Sequence, residues 1–251
     1  MLTDERRRKI LDTLASDQRV VASALAAEFG VSEDTVRRDL RELAEEGLLR
    51  RVYGGAVPQT PVAHTFAGRR GESVEAKGAI AATAARFLKP GQVVFFDAGT
   101  TALAVATHLP RDLALTVVTH SLPVASALAD HPTVEVILLG GRLIKASQAL
   151  SGAETVDGYR RIRADVCVLG TASVHPDIGL GVFVHEDAEV KRAMVTTAAQ
   201  VMVVAAGEKL GTSAPFLVGP ASIVDRLVTD AAAPAPVLEA LAHVGIEIVK
   251  G

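Results

Sequence analysis

The chain has 251 residues, with 26 Lys+Arg against 29 Asp+Glu for a formal net charge of −3, and 49% hydrophobic against 22% charged residues. This is a globular balance with room for one or two domains and a sizeable core, and it excludes a disordered chain. Only 7 Phe, 2 Tyr and no Trp argue against a base-stacking platform for single strands, and 1 Cys excludes an internal disulfide framework or a Cys-based zinc cluster.

Residues 1–57 are expected to form three short helices and a hairpin. The first helix starts near Thr3 and carries Ile10, Leu11 and Leu14 on one face. The second covers 23–29 and stops at Gly30. Ser32 is positioned to cap the third helix. There Glu33 and Asp34 suit the first turn, and Val36, Leu40 and Leu43 recur at helical spacing until Gly47. Residues 48–53 read as a strand entering a turn at Gly54-Gly55. Residues 58–71, with two Pro, two Gly and no periodicity, are expected to be a linker.

From 72 to 251 the pattern changes to an α/β domain. A helix is expected over 72–88. Apolar strands at 93–96, 115–118, 134–139, 166–169, 201–205, 223–228 and 246–249 then alternate with helical stretches. Continuous apolar strands between helices imply a mainly parallel sheet covered on both faces. No apolar run reaches the roughly 18 residues of a membrane-spanning helix. Arg6-Arg7-Arg8-Lys9 is followed by polar residues rather than a signal region. The expectation is a soluble, cytoplasmic protein without membrane association.

A short helix, a tight Gly turn and an Arg-bearing second helix form the helix-turn-helix layout, whose second helix enters the major groove. Thr35, Arg37, Arg38 and Arg41 lie off the apolar face of the third helix and are expected to read double-stranded DNA, with Ser32 at its start. Arg50, Arg51 and Tyr53 follow in the wing. Arg presents donors matching guanine O6/N7 or a phosphate. The N-terminal part is not basic overall, but its charge is sorted: three Arg and one acid fall between Thr35 and Arg41, and Glu42, Glu45 and Glu46 fall at the far helix end. Arg6–Lys9 is expected at the surface.

The run Val-Ser-Glu-Asp-Thr-Val-Arg-Arg-Asp-Leu-Arg-Glu-Leu-Ala-Glu-Glu-Gly-Leu-Leu-Arg-Arg-Val-Tyr-Gly-Gly-Ala over 31–56 resembles the winged helix-turn-helix of the DeoR family of bacterial transcriptional regulators. The resemblance continues through Asp97-Ala-Gly-Thr-Thr, Thr119-His-Ser-Leu, Leu139-Gly-Gly-Arg and Glu189-Val-Lys-Arg-Ala-Met. It implies a sugar-phosphate-responsive regulator, usually a repressor. It also implies a homo-oligomer, dimer or tetramer, and a sensor domain related in fold to ribose-5-phosphate isomerase and CoA transferases.

Several strand ends carry small or polar residues. Asp97, Gly99, Thr100 and Thr101 follow the strand at 93–96 and open a helix, where backbone N–H groups, hydroxyls and a positive helix end favour an anion. Thr119, His120 and Ser121 follow the next strand, Gly141 and Arg142 the third, and Gly170 the fourth. Ligands in open α/β sheets bind outside the carboxyl ends of strands. The expectation is a pocket for a small anionic effector, with no cofactor and no metal. Arg142 is either a phosphate clamp or a loop cation. Lys191 either pairs with Asp187 four residues back or, as the resemblance suggests, faces the ligand.

The chain departs from the family pattern at strand ends. His120 replaces the usual Asn, Gly170-Thr171-Ala172-Ser173 replaces Gly-Ala-Asp-Gly, Gly181 stands where Thr is common, and 205–211 lack the usual Asp. These changes imply an atypical effector. His120, His175 and His185 are too scattered in sequence to define a metal site, and Cys167 reads as core. The alternative is an isomerase-like or acyl-transfer enzyme with a DNA-binding appendage. Isomerisation needs a positioned base, typically a carboxylate. The strand end after Gly170 offers Thr171, Ala172 and Ser173 instead, leaving only Asp97.

Overall fold

The computed structural model describes residues 2–17, 19–58 and 65–251. The N-terminal unit runs α1 (Thr3–Asp17), β1 (Val20–Val21), α2 (Ala22–Phe29), α3 (Glu33–Glu45), β2 (Leu49–Val52) and β3 (Gly55–Pro58). Ile10, Leu14, Val20, Leu25, Val36, Leu40, Leu43 and Leu49 form its core, so the helical spacing read along the sequence marks the buried faces. Gly30 closes α2 with φ +66°, a left-handed turn that suits glycine. The Ser32 side chain then accepts the Thr35 N–H at 3.2 Å and starts α3. The three strands order β1-β3-β2, and β2 and β3 form the wing.

Arg6 corrects one expectation. It lies not at the surface but in the core, 4% exposed, where it donates to both carboxylate oxygens of fully buried Asp39. This pair ties α1 to α3. Neighbouring Arg7 instead pairs with Glu46 at the far end of α3.

The segment expected to be a linker is also corrected in part. Residues 59–64 lie outside the described residues, but 66–70 form a helix, α4 (Phe66–Arg70), capped by the Thr65 side chain. Phe66 is buried, and its N–H donates to the Ala146 carbonyl at 2.7 Å. One aromatic anchor and one cap suffice for so short a helix, and neither leaves a periodic signal.

The C-terminal unit continues with α5 (Val74–Ala85), β4 (Val93–Phe96), α6 (Thr100–Thr107), β5 (Leu115–Thr119), α7 (Leu122–Leu128) and β6 (Val134–Leu138). A small hairpin follows, β7 (Arg142–Ile144) and β8 (Ala149–Ser151), then α8 (Ala153–Arg160) and β9 (Ala164–Leu169). After β10 (Ser173–His175) and β11 (Gly179–Val182) come α9 (His185–Thr197), β12 (Ala198–Val204) and β13 (Phe216–Gly219). The chain ends with β14 (Arg226–Thr229), α10 (Ala235–His243) and β15 (Glu247–Lys250). The strand expected at 223–228 therefore starts later, because Ile223 belongs to a short 3-10 turn.

Seven strands form one parallel sheet in the order β15-β14-β12-β9-β4-β5-β6. Alternate side chains enter opposite cores. Phe95, Cys167, Leu169, Val201 and Val203 lie on one face, and Val94, Phe96, Val166, Val168, Met202 and Val204 on the other. Burial on both faces is why these strands read as unbroken apolar runs. Burial also pushes the Cys167 thiol up, consistent with a core residue. Chain order runs outward in opposite directions from β4, through β5 and β6 on one side and β9, β12, β14 and β15 on the other. The carboxyl ends of β4 and β9 thus flank the switch point, where open α/β sheets form their crevice.

Candidate functional site

Two surfaces carry the charged and polar residues singled out above. On the N-terminal unit, Thr35, Arg37, Arg38 and Arg41 of α3 and Arg51 of the wing line one cleft together with Asp34. Four guanidinium groups face one carboxylate there, a concentrated positive patch on a protein of net negative charge. Arg37 is held by Glu33 one turn back, at 2.7 Å. Ser32 stands at the edge as the cap, with its hydroxyl 2.8 Å from that of Thr35. Tyr53 is fully exposed at the wing turn. Arg50 does not join the cleft, because successive strand residues point to opposite faces. It is half-buried, one terminal nitrogen has no partner among the described residues, and burial lowers its pKa.

The second surface is a cavity of about 280 Å³ at the switch point, near the small end of the range for ligand pockets. Of the residues expected to bind an effector, Asp97, Gly99, Thr100, Thr101, His120, Gly170 and Lys191 line it. Asp97 Oδ2 accepts the Gly170 N–H at 2.9 Å and so joins the ends of β4 and β9. The same oxygen accepts from the Lys191 ammonium, which lies 3.3 Å from Asp187 Oδ1. Lys191 thus pairs with Asp187 and stands in the pocket wall. Burial would raise the Asp97 carboxyl, but Lys191 and then His120 outweigh it and hold it below its usual value.

His120 is 1% exposed, with Nδ1 2.8 Å from the Tyr159 hydroxyl and Nε2 3.9 Å from Asp97 Oδ1. Burial lowers its pKa to about 4, so the imidazole is neutral at pH 7. Asp97, His120 and Asp187 each bring one ligand-capable atom to within 4.8 Å of the others. The sequence spacing gave no sign of such a cluster, because its members meet only through the fold. The Lys191 ammonium already stands beside both carboxylates and supplies the positive charge a cation would bring.

Four expected residues lie outside the cavity lining. The Thr119 hydroxyl donates to the Phe96 carbonyl at 2.7 Å, and Ser121 caps α7. Gly141, at φ +140°, lets the chain pass close to the Ser151 carbonyl, where a Cβ would collide. Arg142 is exposed and lies 4.0 Å from Glu186. Small and polar residues at strand ends serve caps and turns as readily as ligands.

Sequence reasoning missed Thr65, Arg69, Ser151, Asp187 and Lys209, which also line the cavity. Lys209 donates to the Thr171 carbonyl at 3.1 Å, and burial, then the cations Arg69 and Lys77, lower its pKa to about 8. Among the described residues, three buried polar atoms of the cavity's lining residues have no hydrogen-bond partner: Asp97 Oδ1, Ser151 Oγ and Arg69 Nε. Unsatisfied buried groups are costly, and all three belong to residues that line this cavity.

The DeoR-like helix-turn-helix domain matches residues 6–62, and the DeoR C terminal sensor domain matches residues 72–231. The chain belongs to the DeoR family. Among curated DeoR-family relatives, the HTH-type transcriptional regulator GlpR of Haloferax volcanii is 38% identical, across 100% of this chain and 99% of its own. The glycerol-3-phosphate regulon repressor of Escherichia coli is 33% identical, over 99% of this chain and 100% of its own. Among solved structures, ribose 5-phosphate isomerase A from Methanocaldococcus jannaschii is similar at 14% identity and a TM-score of 0.41, over 55% of each chain. In this DeoR-family chain the positively charged cleft falls within the first match. Most of the pocket falls within the second, whereas Thr65 and Arg69 lie between the two. No helix among the described residues is long and apolar enough to cross a membrane.

Proposed function

We propose that this protein is a sequence-specific DNA-binding transcriptional regulator, a repressor of carbohydrate-metabolism genes. A small phosphorylated sugar or related anionic metabolite, bound in the pocket at the switch point, modulates its hold on DNA. The observation that carries the first half is the cleft, where α3 and the wing gather Arg37, Arg38, Arg41 and Arg51 on the surface a winged helix presents to the major groove. The second half is supported by the unpartnered polar atoms and by the Gly99–Thr101 turn at the start of α6. The strand end after Gly170 carries no carboxylate, which favours a sensor over an isomerase-like enzyme.

A homo-oligomer, dimer or tetramer, would place recognition helices about 34 Å apart on one face of the duplex, so the operator should contain repeated or inverted half-sites. The effector must bind the DNA-competent and released arrangements with different affinity. Footprinting on DNA flanking the protein's own gene, with sugar phosphates and their unphosphorylated counterparts, tests the proposal. Protection that phosphates but not neutral sugars relieve supports it. A correctly folded protein that ignores every fragment at low ionic strength overturns it.

A further inference from the structure

The N-terminal unit meets the C-terminal unit at an ion pair. Arg19, the residue before β1, donates from its guanidinium to Asp177 Oδ2 at 2.5 Å, across a sequence separation of 158. Asp177 stands in the turn between β10 and β11, and its N–H donates to His175 Nδ1 at 3.2 Å. Burial lowers the pKa of His175, Asp177 then raises it and Arg19 lowers it, so this buried ring lies within the field of both charges.

The hairpin behind that turn is an inflexible element. Every residue of β10 and β11 is buried. The two strands pair from Ser173↔Gly181 to His175↔Gly179, and β11 pairs with β13 on its other side. The base of the hairpin is pocket wall. Thr171 and Ala172, ahead of β10, and Val182, Phe183 and Val184, where β11 ends, all line the cavity. The Thr171 carbonyl accepts from the Lys209 ammonium, and the Val174 carbonyl accepts the Gly211 N–H at 2.8 Å. A close-packed element transmits a shift at its base to its tip rather than absorbing it.

On the far side of the ion pair, Arg19 leads directly into β1. There Val20 faces Ala56 and Val21 faces Gly55 of the wing strand β3, and Val20 is buried in the N-terminal core. The other wing strand, β2, pairs with β3 and carries Arg51 to the positive cleft. Residues at the pocket wall are thus connected to the wing through one hairpin and one ion pair.

We infer that the β10–β11 hairpin is the arm through which pocket occupancy acts on the DNA-binding unit, with Arg19–Asp177 as the contact that it makes and breaks. This rests on the effector-controlled regulator reading above and names its route. An exposed ion pair is weak, which suits a contact that must exchange between two arrangements. The ligand touches only the base of the arm, and it acts by binding the latched and unlatched arrangements with different affinity.

The full chain supplies the test. In Arg19→Cys/Asp177→Cys, a short bismaleimide should join the two positions within one chain. Cys167 is buried with its thiol pKa pushed up and does not compete for the reagent. No cross-link, or cross-links solely between chains, overturns the contact. Function is read in Asp177→Asn, Arg19→Gln and the charge-exchanged Arg19→Asp/Asp177→Arg. Glycerol 3-phosphate, glucose 6-phosphate and fructose 1-phosphate are titrated calorimetrically, and affinity for the footprinted DNA is measured with and without the tightest of them. Each single variant should bind that phosphate as wild type does. The ratio of DNA affinities without and with phosphate should fall about two- to fivefold, the range of an exposed ion pair. The exchanged pair should restore it. If no phosphate alters DNA binding by wild type, the effector reading fails and the arm's role with it. If wild type responds and both single variants keep its ratio, that reading stands and the arm is wrong. If Arg19→Gln weakens DNA binding equally with and without phosphate while Asp177→Asn keeps the ratio, Arg19 is a DNA contact and the arm is wrong.

Discussion

Lys191 and Asp97, 94 positions apart in the chain, form an ion pair in which neither side chain is more than 3% exposed. The pair joins α9 to the carboxyl end of β4. Because Asp97 also accepts the Gly170 N–H, one carboxylate holds three elements at the pocket. Each charge is tolerated in that setting because the other is present.

Removing one partner should therefore cost far more than the pair contributes. Lys191→Met is expected to destabilise the protein by about 3–5 kcal/mol, because it leaves the Asp97 carboxylate buried and uncompensated. Adding Asp97→Asn should restore much of the loss. Urea unfolding of the two single variants and the double variant measures this coupling. Additive losses would show that the two residues act independently.

His120 should make stability fall in mild acid. Its folded pKa is about 4 against 6.5 for the free group. Between those values the unfolded chain binds a proton that the folded protein refuses, so stability drops as pH falls from 6.5 to 4. Above 6.5 this contribution is complete. The shift corresponds to about 3 kcal/mol. His120→Asn, which installs the residue expected from the family resemblance, should flatten the pH dependence of the unfolding midpoint in that window. An unchanged slope would assign it to other groups.

Arg6 should be needed for DNA binding without touching DNA. Arg6→Ala leaves Asp39 buried and unpaired between α1 and α3. A loss of about 3–5 kcal/mol is expected in the N-terminal unit. Operator affinity should collapse while exchange protection of the seven-stranded sheet is retained. Loss of protection across the whole molecule would mean that the two units unfold together.

Arg38, in the positive cleft, and Arg50, which lies outside it, should behave differently. Arg38→Ala should cost roughly 1–3 kcal/mol and relax sequence preference if it removes a bidentate base contact. A phosphate contact alone would lower the salt slope by about 0.9 with preference unchanged. Arg50→Ala should leave the salt slope as it is. Binding measured over a range of salt concentrations separates these outcomes, and an altered slope in Arg50→Ala would place that residue on the backbone after all.

Local pattern determined much of this protein. Apolar positions at i, i+4 and i+7 marked the buried face of α3, Ser32 marked its start and Gly30 the end of α2, because caps and helical periodicity act within a few residues. The unbroken apolar runs of β4, β9 and β12 likewise announced a sheet covered on both faces. Asp97, Gly99, Thr100 and Thr101, which line the cavity, were legible as a candidate site because strand end, turn and helix start are consecutive in the chain.

What the tertiary structure decided are the pairings between distant residues. Arg6 reads as surface until Asp39 is opposite it. Lys191 reads as a helix-face cation until β4 brings Asp97 to its other side, and His120 joins two carboxylates that no spacing connects. Arg69 lies in a stretch without periodicity, and only the docking of Phe66 against the β7–β8 hairpin turns it toward the cavity. Propensity and periodicity are short-range and survive in the sequence. The partner of a buried charge is chosen by which elements the core brings together, and that is a property of the packed fold.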